Sequence, residues 1–215
     1  IIRTWPRGNV HIDCGAHAGL HTAPMLERSD VRRVYAVEAI ERLCDRLDRL
    51  FPGHAKLRLI RAAVGKQPGK AAFAVAVDAP GYSGLRQRSL DAVAKWETVT
   101  VAVDTLDSVV SAEDRRDVGL IKLDLEGGEF DALSGATDIL GRARPCLIFE
   151  NGLRTSAAHY GYSWNDFERL FETHGYQVFD FFGNRVDEGY WNATLQTYMF
   201  VGIPAPEAQS QWFQT

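Results

Sequence analysis

The chain has 215 residues, a formal net charge of −4 and 46% hydrophobic residues. This length fits one large domain, and the hydrophobic share is enough for a sizeable core. The mild acidity, with basic and acidic residues interspersed, argues against a sequence-blind nucleic-acid binder and against a polybasic membrane surface. No stretch approaches the roughly 18 apolar residues that a membrane span needs, and none has the form of a secretion signal.

Three cysteines, Cys14, Cys44 and Cys146, stand far apart in apolar surroundings and form no CxxC pair. This usage is typical of reduced thiols, so we expect a cytoplasmic protein. We predict a single domain over residues 1–203, in which residues 71–103 are a β-rich insertion or loop region. The polar residues 204–215 are expected to form a loose tail.

Short apolar runs alternate with helical periodicity along the chain. The runs predict strands at residues 10–13, 34–37, 57–59, 71–77, 98–103, 119–123, 146–149, 176–181 and 194–201. Spacings of three and four residues predict helices between several of them, and Ser163 to Asp166 is typical of a capping-box helix start. Alternating strands and helices imply a mostly parallel, doubly wound sheet. The last two strands have no long helix between them, so we expect the final strand to run antiparallel.

A glycine turn follows the first predicted strand. Gly15 and Gly19 allow a ligand to approach the backbone and expose amides at a helix start. Their spacing is GxxxG, whereas nicotinamide dinucleotide sites carry GxGxxG. This difference disfavours a nicotinamide-dependent oxidoreductase. A plain strand-to-helix turn explains the glycines equally well.

Glu38 ends the second predicted strand, 25 residues after Asp13. An acid at this place in a nucleotide-binding α/β fold accepts hydrogen bonds from both ribose hydroxyls. The alternative is a solvated acid favoured by the helix dipole. Together with the glycine turn, Glu38 predicts a ligand that contains adenosine.

Acidic residues also cluster after two later strands. Asp124, Glu126 and Glu129 follow the fourth strand of the main sheet, and Glu150 and Asn151 close the fifth. Ordinary helix-start acids explain Glu129 well and Asp124 poorly, since Asp124 directly follows an apolar run. Because ligands of such sheets bind at the carboxyl ends of the strands, we expect these side chains to lie at the site.

Five segments in order resemble the FkbM family of S-adenosylmethionine-dependent methyltransferases: residues 10–22, 37–38, 105–107, 121–136 and 144–150. The most specific part is a run of charged and small residues, Lys122, Asp124, Glu126, Gly127, Glu129, Gly135 and Ala136. The resemblance implies the class I methyltransferase (Rossmann-like) fold. This fold is an α/β three-layer sandwich around a seven-stranded, mostly parallel sheet whose last strand is antiparallel.

The resemblance also implies S-adenosylmethionine as the cofactor and S-adenosylhomocysteine as its product. By match to the family pattern, the glycine turn holds the methionine part and Glu38 holds the ribose. Ser83 resembles the family's Ser-Leu loop, although a plain turn residue is an equal alternative. His17 stands where the family often has Asn. The predicted cofactor-binding residues are Asp13, Gly15, His17, Gly19, Glu38, Ser83 and Asp124.

The acceptor implied by the resemblance is a hydroxyl group on a glycan or a small natural product. A hydroxyl needs a base within hydrogen-bond reach, and Asp124 is our first choice, with Glu126 and Glu150 as alternatives. Aromatic side chains in two late loops are expected to stack on a flat substrate, although core packing is as good an explanation for their neighbour Trp164. The predicted substrate-binding residues are His21, Asn151, His159, Tyr160, Tyr190 and Trp191.

Other interpretations stay open from the sequence. Asp124, Glu150 and Asn151 resemble an all-oxygen site for Mg²⁺, but we favour hydrogen bonding and predict no metal. An N-methyltransferase that acts on an amine is the main functional alternative. A non-catalytic module that binds the cofactor or a partner is another. Neither a nucleic-acid partner nor a membrane span is expected.

Overall fold

The computed structural model describes residues 7–88, 93–194 and 196–205. The strands are β1 (Val10–Cys14), β2 (Arg33–Glu38), β3 (Leu57–Arg61), β4 (Ala63–Val64), β5 (Gly69–Ala76), β6 (Trp96–Asp104), β7 (Val118–Leu123), β8 (Cys146–Glu150), β9 (Tyr176–Asp180) and β10 (Met199–Pro204). The helices are α1 (Thr22–Leu26), α2 (Glu41–Leu50), α3 (Leu106–Val109), α4 (Glu129–Ser134), α5 (Thr137–Arg142), α6 (Arg154–Tyr160), α7 (Trp164–Thr173) and α8 (Glu188–Asn192).

Seven strands form the central sheet in the order β3-β2-β1-β7-β8-β10-β9. The first five in this order pair in parallel. The last strand of the chain, β10, lies between β8 and β9 and is antiparallel to both. The predicted mostly parallel, seven-stranded sheet with an antiparallel last strand is confirmed.

The sheet separates two layers of helices. Every residue of β1 and β7 is buried, as expected for strands that are covered on both faces. On one face Ile12 packs with residues of α4, α5 and α7, among them Leu133 and Phe167. On the other face Val34 packs with Met25 of α1. The chain therefore has the predicted three-layer arrangement.

A second, three-stranded sheet has the order β4-β6-β5. Most of β5 and β6 falls in the predicted β-rich region, residues 71–103, whereas β4 lies before it. β5 and β6 form an antiparallel hairpin, and β4 pairs in parallel with β6. Phe73 of this hairpin packs on Ile40 and Leu43 beside the end of β2. The hairpin thus brings residues 80–85, between its strands, towards the carboxyl edge of the central sheet.

The ends of some elements agree with the prediction and others differ from it. The capping box of α7 forms between Ser163 and Asp166 as predicted. The final strand begins at Met199, not at residue 194, because the unpredicted helix α8 ends at Asn192 and the chain must still reach the sheet. The predicted loose tail lies largely in residues 206–215, outside the described residues, and Pro204 belongs to β10.

All three cysteines are buried and free. Among the residues that the structure describes, no helix has the length and apolar character to cross a membrane.

Candidate active site

The carboxyl ends of β1, β2, β7 and β8 open into a first cavity of about 290 Å³. Its charged lining consists of four acids and one lysine among the described residues: Glu38, Lys122, Asp124, Glu126 and Glu150. The site therefore lies where parallel strands of a doubly wound sheet place their ligands.

The turn after β1 needs glycine at its first position. Gly15 has φ +72°, and a Cβ added there would lie 2.0 Å from the carbonyl oxygen of Asp124. The chain then reaches His17, which has φ +48°, a region where Asn and Gly are favoured over other residues. The turn thus brings main-chain amides to the wall of the first cavity.

Two main-chain amides hold Glu38, one from the turn after β1 and one from the residues that follow β2. His17 donates to Oε2 at 2.9 Å, and Ile40 donates to Oε1 at 2.8 Å. The side chain is almost fully buried, and this burial raises the pKa of the Glu38 carboxyl. Each carboxylate oxygen accepts more than one hydrogen bond, so Glu38 keeps acceptor capacity at the wall of the first cavity.

An apolar wall adjoins Glu38 in the first cavity. Ile40, Leu43 and Phe73 contribute to it. Ser83 lines the cavity nearby, but its hydroxyl oxygen accepts a hydrogen bond from the amide of Ala76 at 3.0 Å. Ser83 therefore fixes the loop of the hairpin against β5 as well as shaping the cavity.

Three carboxylates meet at the end of the cavity. Asp124, Glu126 and Glu150 each place an oxygen within 4.8 Å of the others. The buried ammonium of Lys122 lies 3.2 Å from Oδ2 of Asp124, and Arg88 forms an ion pair with Glu126. Burial, followed by the negative charge of Asp124, raises the pKa of Glu150 to about 7. Glu150 is therefore a group that changes its protonation near neutral pH.

A second cavity of about 700 Å³ adjoins the first. Tyr82, Glu126 and Glu150 line both. The other residues that line the second cavity are Gln87, Arg88, Gly127, Asn151, Gly152, Thr155, Ser156, Ala158, His159 and Tyr198. The carboxylates of Glu126 and Glu150 thus lie at the junction of the two cavities.

A comparison with known protein families identifies the family to which this domain belongs. A family model described as "Methyltransferase FkbM domain" matches residues 13–178. The chain belongs to the FkbM methyltransferase family. The match spans both the glycine turn and the acidic run, so the predicted family membership is confirmed.

Several solved methyltransferase structures are similar to this FkbM domain, and the first supports its fold. The methyltransferase FkbM from Methylobacillus flagellatus KT is similar with a TM-score of 0.55 and 16% identity, over 91% of this chain and 43% of that one. Precorrin-6y C5,15-methyltransferase from Geobacter metallireducens GS-15 is similar with 0.45 and 13%, over 94% and 81%. N-methyltransferase NodS from Bradyrhizobium japonicum WM9 is similar with 0.40 and 10%, over 92% and 84%. The chain spans less than half the length of the first of these proteins. No curated protein matches the chain.

The structure gathers most of the predicted cofactor residues of the FkbM domain. Gly15, His17, Glu38, Ser83 and Asp124 line the first cavity. Two others lie behind its wall.

Asp13 is fully buried, where its Oδ2 accepts from the Thr22 hydroxyl at 2.6 Å and its Oδ1 lies 3.7 Å from Lys122. Gly19 packs on Phe51, whose ring would lie 2.9 Å from an added Cβ. These two residues support the turn from beneath.

The predicted substrate residues divide into two groups. His21 lines the first cavity, while Asn151 and His159 line the second. Asn151 also braces the start of α6, because its Oδ1 accepts from the amide of Leu153 at 2.7 Å. His159 carries a buried Nε2 that has no hydrogen-bond partner among the described residues.

The three predicted aromatic contacts line neither cavity within the described part of the chain. Trp191 is 5% exposed and packs with Trp164 and Phe167 in the core. Tyr190 donates its hydroxyl to Asp180 at 2.9 Å. Tyr160 is buried beneath the acidic loop. All three lie on α6 or α8 and not in the predicted loops, and their rings serve internal packing.

Two other tyrosines take the exposed positions. Tyr82 is 41% exposed and Tyr198 is 60% exposed, and both line the second cavity. Neither was predicted as a substrate contact from the sequence, because each stands alone beside a turn or a strand start. The only signal in the sequence was the position of Tyr82 next to Ser83 in a segment between two glycines.

Proposed function

We propose that this chain transfers a methyl group from S-adenosylmethionine to a hydroxyl group of an acceptor that occupies the second cavity. The acceptor class that we propose is a glycan or a small natural product. The observation that carries the proposal is the meeting of the two cavities at Glu126 and Glu150 in an FkbM domain, with Asp124 beside them in the first cavity. A donor cavity and an acceptor cavity must share the place where the methyl group changes partner.

The first cavity has the chemistry that the donor requires. Glu38 offers acceptor oxygens for ribose hydroxyls, and the apolar wall at Ile40, Leu43 and Phe73 suits a base. The excess of acids over lysine favours a cation. When bound, S-adenosylmethionine supplies a methyl carbon on a positively charged sulfur, and the protein supplies position and electrostatics. Gly15 and His17 would contact it as part of the cavity wall, since their amides already bond to Val37 and Glu38.

Glu150 is the proposed base. It lines both cavities, and its pKa of about 7 matches the range in which a general base is most effective. Asp124 lines only the first cavity and is held by Lys122. We therefore assign proton acceptance to the Asp124–Glu150 pair, with Glu150 nearer to the acceptor and Asp124 orienting it.

The second cavity supports an acceptor that carries several hydroxyl groups. Gln87, Thr155 and His159 provide hydrogen-bonding groups along its wall. The exposed rings of Tyr82 and Tyr198 offer flat apolar surfaces for stacking. Polar groups beside aromatic rings suit the edges and faces of a sugar or a similar hydroxylated ring.

An amine acceptor is the second candidate, because three carboxylates at the junction also attract an ammonium group. An ammonium group that the carboxylates attract must lose a proton before it can attack the methyl carbon, so it needs a base as a hydroxyl does. An amine that binds unprotonated needs none, and only its methylation would survive Glu150→Gln. Methylation of a hydroxyl would not.

Methyl transfer from isotopically labelled S-adenosylmethionine to panels of glycosides, hydroxylated natural products and amines tests the proposal. We expect transfer to a hydroxyl compound that is lost in Asp124→Asn and Glu150→Gln, while both variants still bind S-adenosylhomocysteine. Full turnover by Asp124→Asn with intact cofactor binding would contradict the role of the acidic pair. Transfer to amines alone would contradict the hydroxyl assignment.

A further inference from the structure

The loop that carries two of the junction acids has an unfavourable backbone. Glu126 has φ +56° and Gly127 has φ +105°, so two successive residues are left-handed. A non-glycine residue in this region costs about 1 kcal/mol. Interactions around residues 124–128 must therefore hold this conformation.

Glu129 makes these interactions on one side of the loop. Its Oε1 accepts hydrogen bonds from the amides of Leu125 at 2.7 Å and Gly127 at 3.3 Å. The side chain is fully buried, and it lines neither cavity. Its Oε2 is buried without a hydrogen-bond partner among the described residues. Glu129 thus contacts the loop from behind.

Tyr160 also packs against the loop. A Cβ added to Gly127 would lie 2.8 Å from the Tyr160 ring, and one added to Gly128 would lie 3.5 Å from its hydroxyl. The ring is held in turn by Arg86, whose guanidinium lies 5.1 Å from the ring centroid and donates to the carbonyl of His159 at 2.6 Å. The loop is packed between a carboxylate and an aromatic ring.

We propose that Glu129 and Tyr160 are positioning residues that hold the loop of residues 124–128 so that Asp124 and Glu126 face Glu150. The consequence for turnover rests on the proposed function. The consequence for the arrangement of the three carboxylates does not.

The stabilisation that an acid gains at a helix start does not explain why Glu129 is buried. Such an acid gains from the helix dipole while it stays in water, whereas Glu129 has no exposed surface. Burial of a carboxyl is costly unless its hydrogen bonds repay it, and the two bonds that it receives from other residues come from Leu125 and Gly127. The buried carboxyl therefore acts on the loop.

The test compares three variants with the wild-type chain. Glu129→Gln keeps an oxygen that accepts both amides. Glu129→Met has a similar length and no such oxygen, so it removes the support without a large cavity. Gly127→Ala disturbs the same loop from the side of Tyr160. Glu172→Met, on the exposed face of α7, is the matched control.

The first measurement is a carboxyl ¹³C NMR titration of Glu150, assigned with Glu150→Gln. In Glu129→Met and Gly127→Ala we expect the midpoint to fall by about one pH unit, because Asp124 no longer faces Glu150. Glu129→Gln and Glu172→Met should stay within about 0.3 units of the wild-type value. A merely structural contribution to stability would not move this midpoint in a folded protein.

The second measurement separates positioning from binding. We expect the methyl-transfer rate at saturating acceptor to fall about tenfold or more in Glu129→Met. The dissociation constant for S-adenosylhomocysteine should stay within about threefold, since Glu129 does not line the first cavity. Glu129→Gln should recover most of the rate.

Two results would overturn the inference. One is an unchanged Glu150 midpoint in every loop variant that folds, Glu129→Met and Gly127→Ala alike. The other is an equal effect of Glu129→Gln and Glu129→Met, which would assign the effect to charge and not to support of the loop. A wild-type chain that transfers no methyl group, with a midpoint that still falls in Glu129→Met, would refute the proposed function alone.

Discussion

The main-chain amide of His17 donates a hydrogen bond to Oε2 of Glu38 at 2.9 Å, across 21 positions of sequence. This bond joins the turn after β1 to the end of β2. The other oxygen of Glu38 accepts from Ile40 at 2.8 Å. Because both oxygens are fixed by the backbone, the carboxylate is ordered before a ligand arrives. Preordered groups lose less entropy on binding.

Replacement of Glu38 should weaken cofactor binding strongly. We expect Glu38→Ala to raise the dissociation constant for S-adenosylhomocysteine about 10- to 100-fold, as hydrogen bonds to a charged group are lost. Titration calorimetry measures this change. Glu41→Ala is the matched control, because Glu41 is exposed and pairs with Arg61 at the surface. Equal affinities for both variants would remove Glu38 from the binding site.

The pH dependence of methyl transfer should report Glu150. A base must be deprotonated to act, so the single-turnover rate should rise with pH through about 7, the pKa of Glu150. In Glu150→Gln this rise should disappear and the rate at high pH should fall at least about 100-fold. A rise through pH 7 that persists in Glu150→Gln would assign the base to another group.

The strand-end acids were predictable, whereas the aromatic contacts were not. Glu38, Asp124 and Glu150 each end or follow a parallel strand, and such ends meet at one edge of the sheet. Trp191 lines neither cavity because the stretch interpreted as a loop folds into the short helix α8, which places this ring in the core. Five residues are too few for a helical period to be recognised in the sequence.

The residues that support the site acids were harder still to predict from the sequence. Lys122 contacts Asp13 as well as its near neighbour Asp124, and only the adjacency of β1 and β7 brings its ammonium to Asp13. Likewise, Glu129 looks in the sequence like any acid at a helix start. Its burial depends on the packing of Tyr160 from α6, about 30 residues later in the sequence. Local patterns do not contain such distant contacts.

Stability should depend on pH through Glu129. Burial raises the pKa of Glu129 to about 7 from 4.5, and the nearby Asp124 also raises it. Between these pH values Glu129 holds a proton in the folded chain that it has lost in the unfolded chain, so its contribution to the free energy of unfolding falls as pH rises from about 4.5 to about 7. The fall is of the order of 3 kcal/mol at most.

Urea unfolding of the wild-type chain and of Glu129→Gln at pH 5 and pH 7 measures this effect. The difference between the two chains isolates Glu129, because Glu150, whose pKa is raised, and His11, whose pKa burial lowers to about 4, titrate in both. From pH 5 to pH 7 the wild-type chain should lose stability relative to Glu129→Gln. The same change in both chains would show that Glu129 ionises at its ordinary value in the folded state.

Two aromatic substitutions should affect different properties, one the stability of the protein and the other its Michaelis constant for the acceptor. Trp191→Ala removes a buried ring from the core and should lower the free energy of unfolding by about 3–5 kcal/mol. Tyr198→Ala should change stability by no more than about 0.5 kcal/mol, yet raise the Michaelis constant for the acceptor about 3- to 10-fold as stacking is lost. Tyr198→Phe should keep the wild-type constant. Unfolding and steady-state kinetics test the pair, and an unchanged constant in Tyr198→Ala would remove Tyr198 from the acceptor site.

Removal of divalent ions should leave turnover unchanged. Glu126 is engaged by Arg88, and Asp124 by Lys122, so a cation at the three carboxylates would compete with charges that the chain already supplies. We expect equal rates before and after dialysis against EDTA. A loss of activity that returns with Mg²⁺ would instead assign Asp124, Glu126 and Glu150 to a metal site.

Calorimetric titration of the purified chain with S-adenosylmethionine, S-adenosylhomocysteine and NAD tests the central claim most directly. The geometry of the first cavity predicts saturable binding of both methyl-cofactor forms with a stoichiometry near one, and no heat from NAD. A folded chain that binds NAD, or that binds neither form of the methyl cofactor, would contradict the assignment of the first cavity as a methyl-donor site.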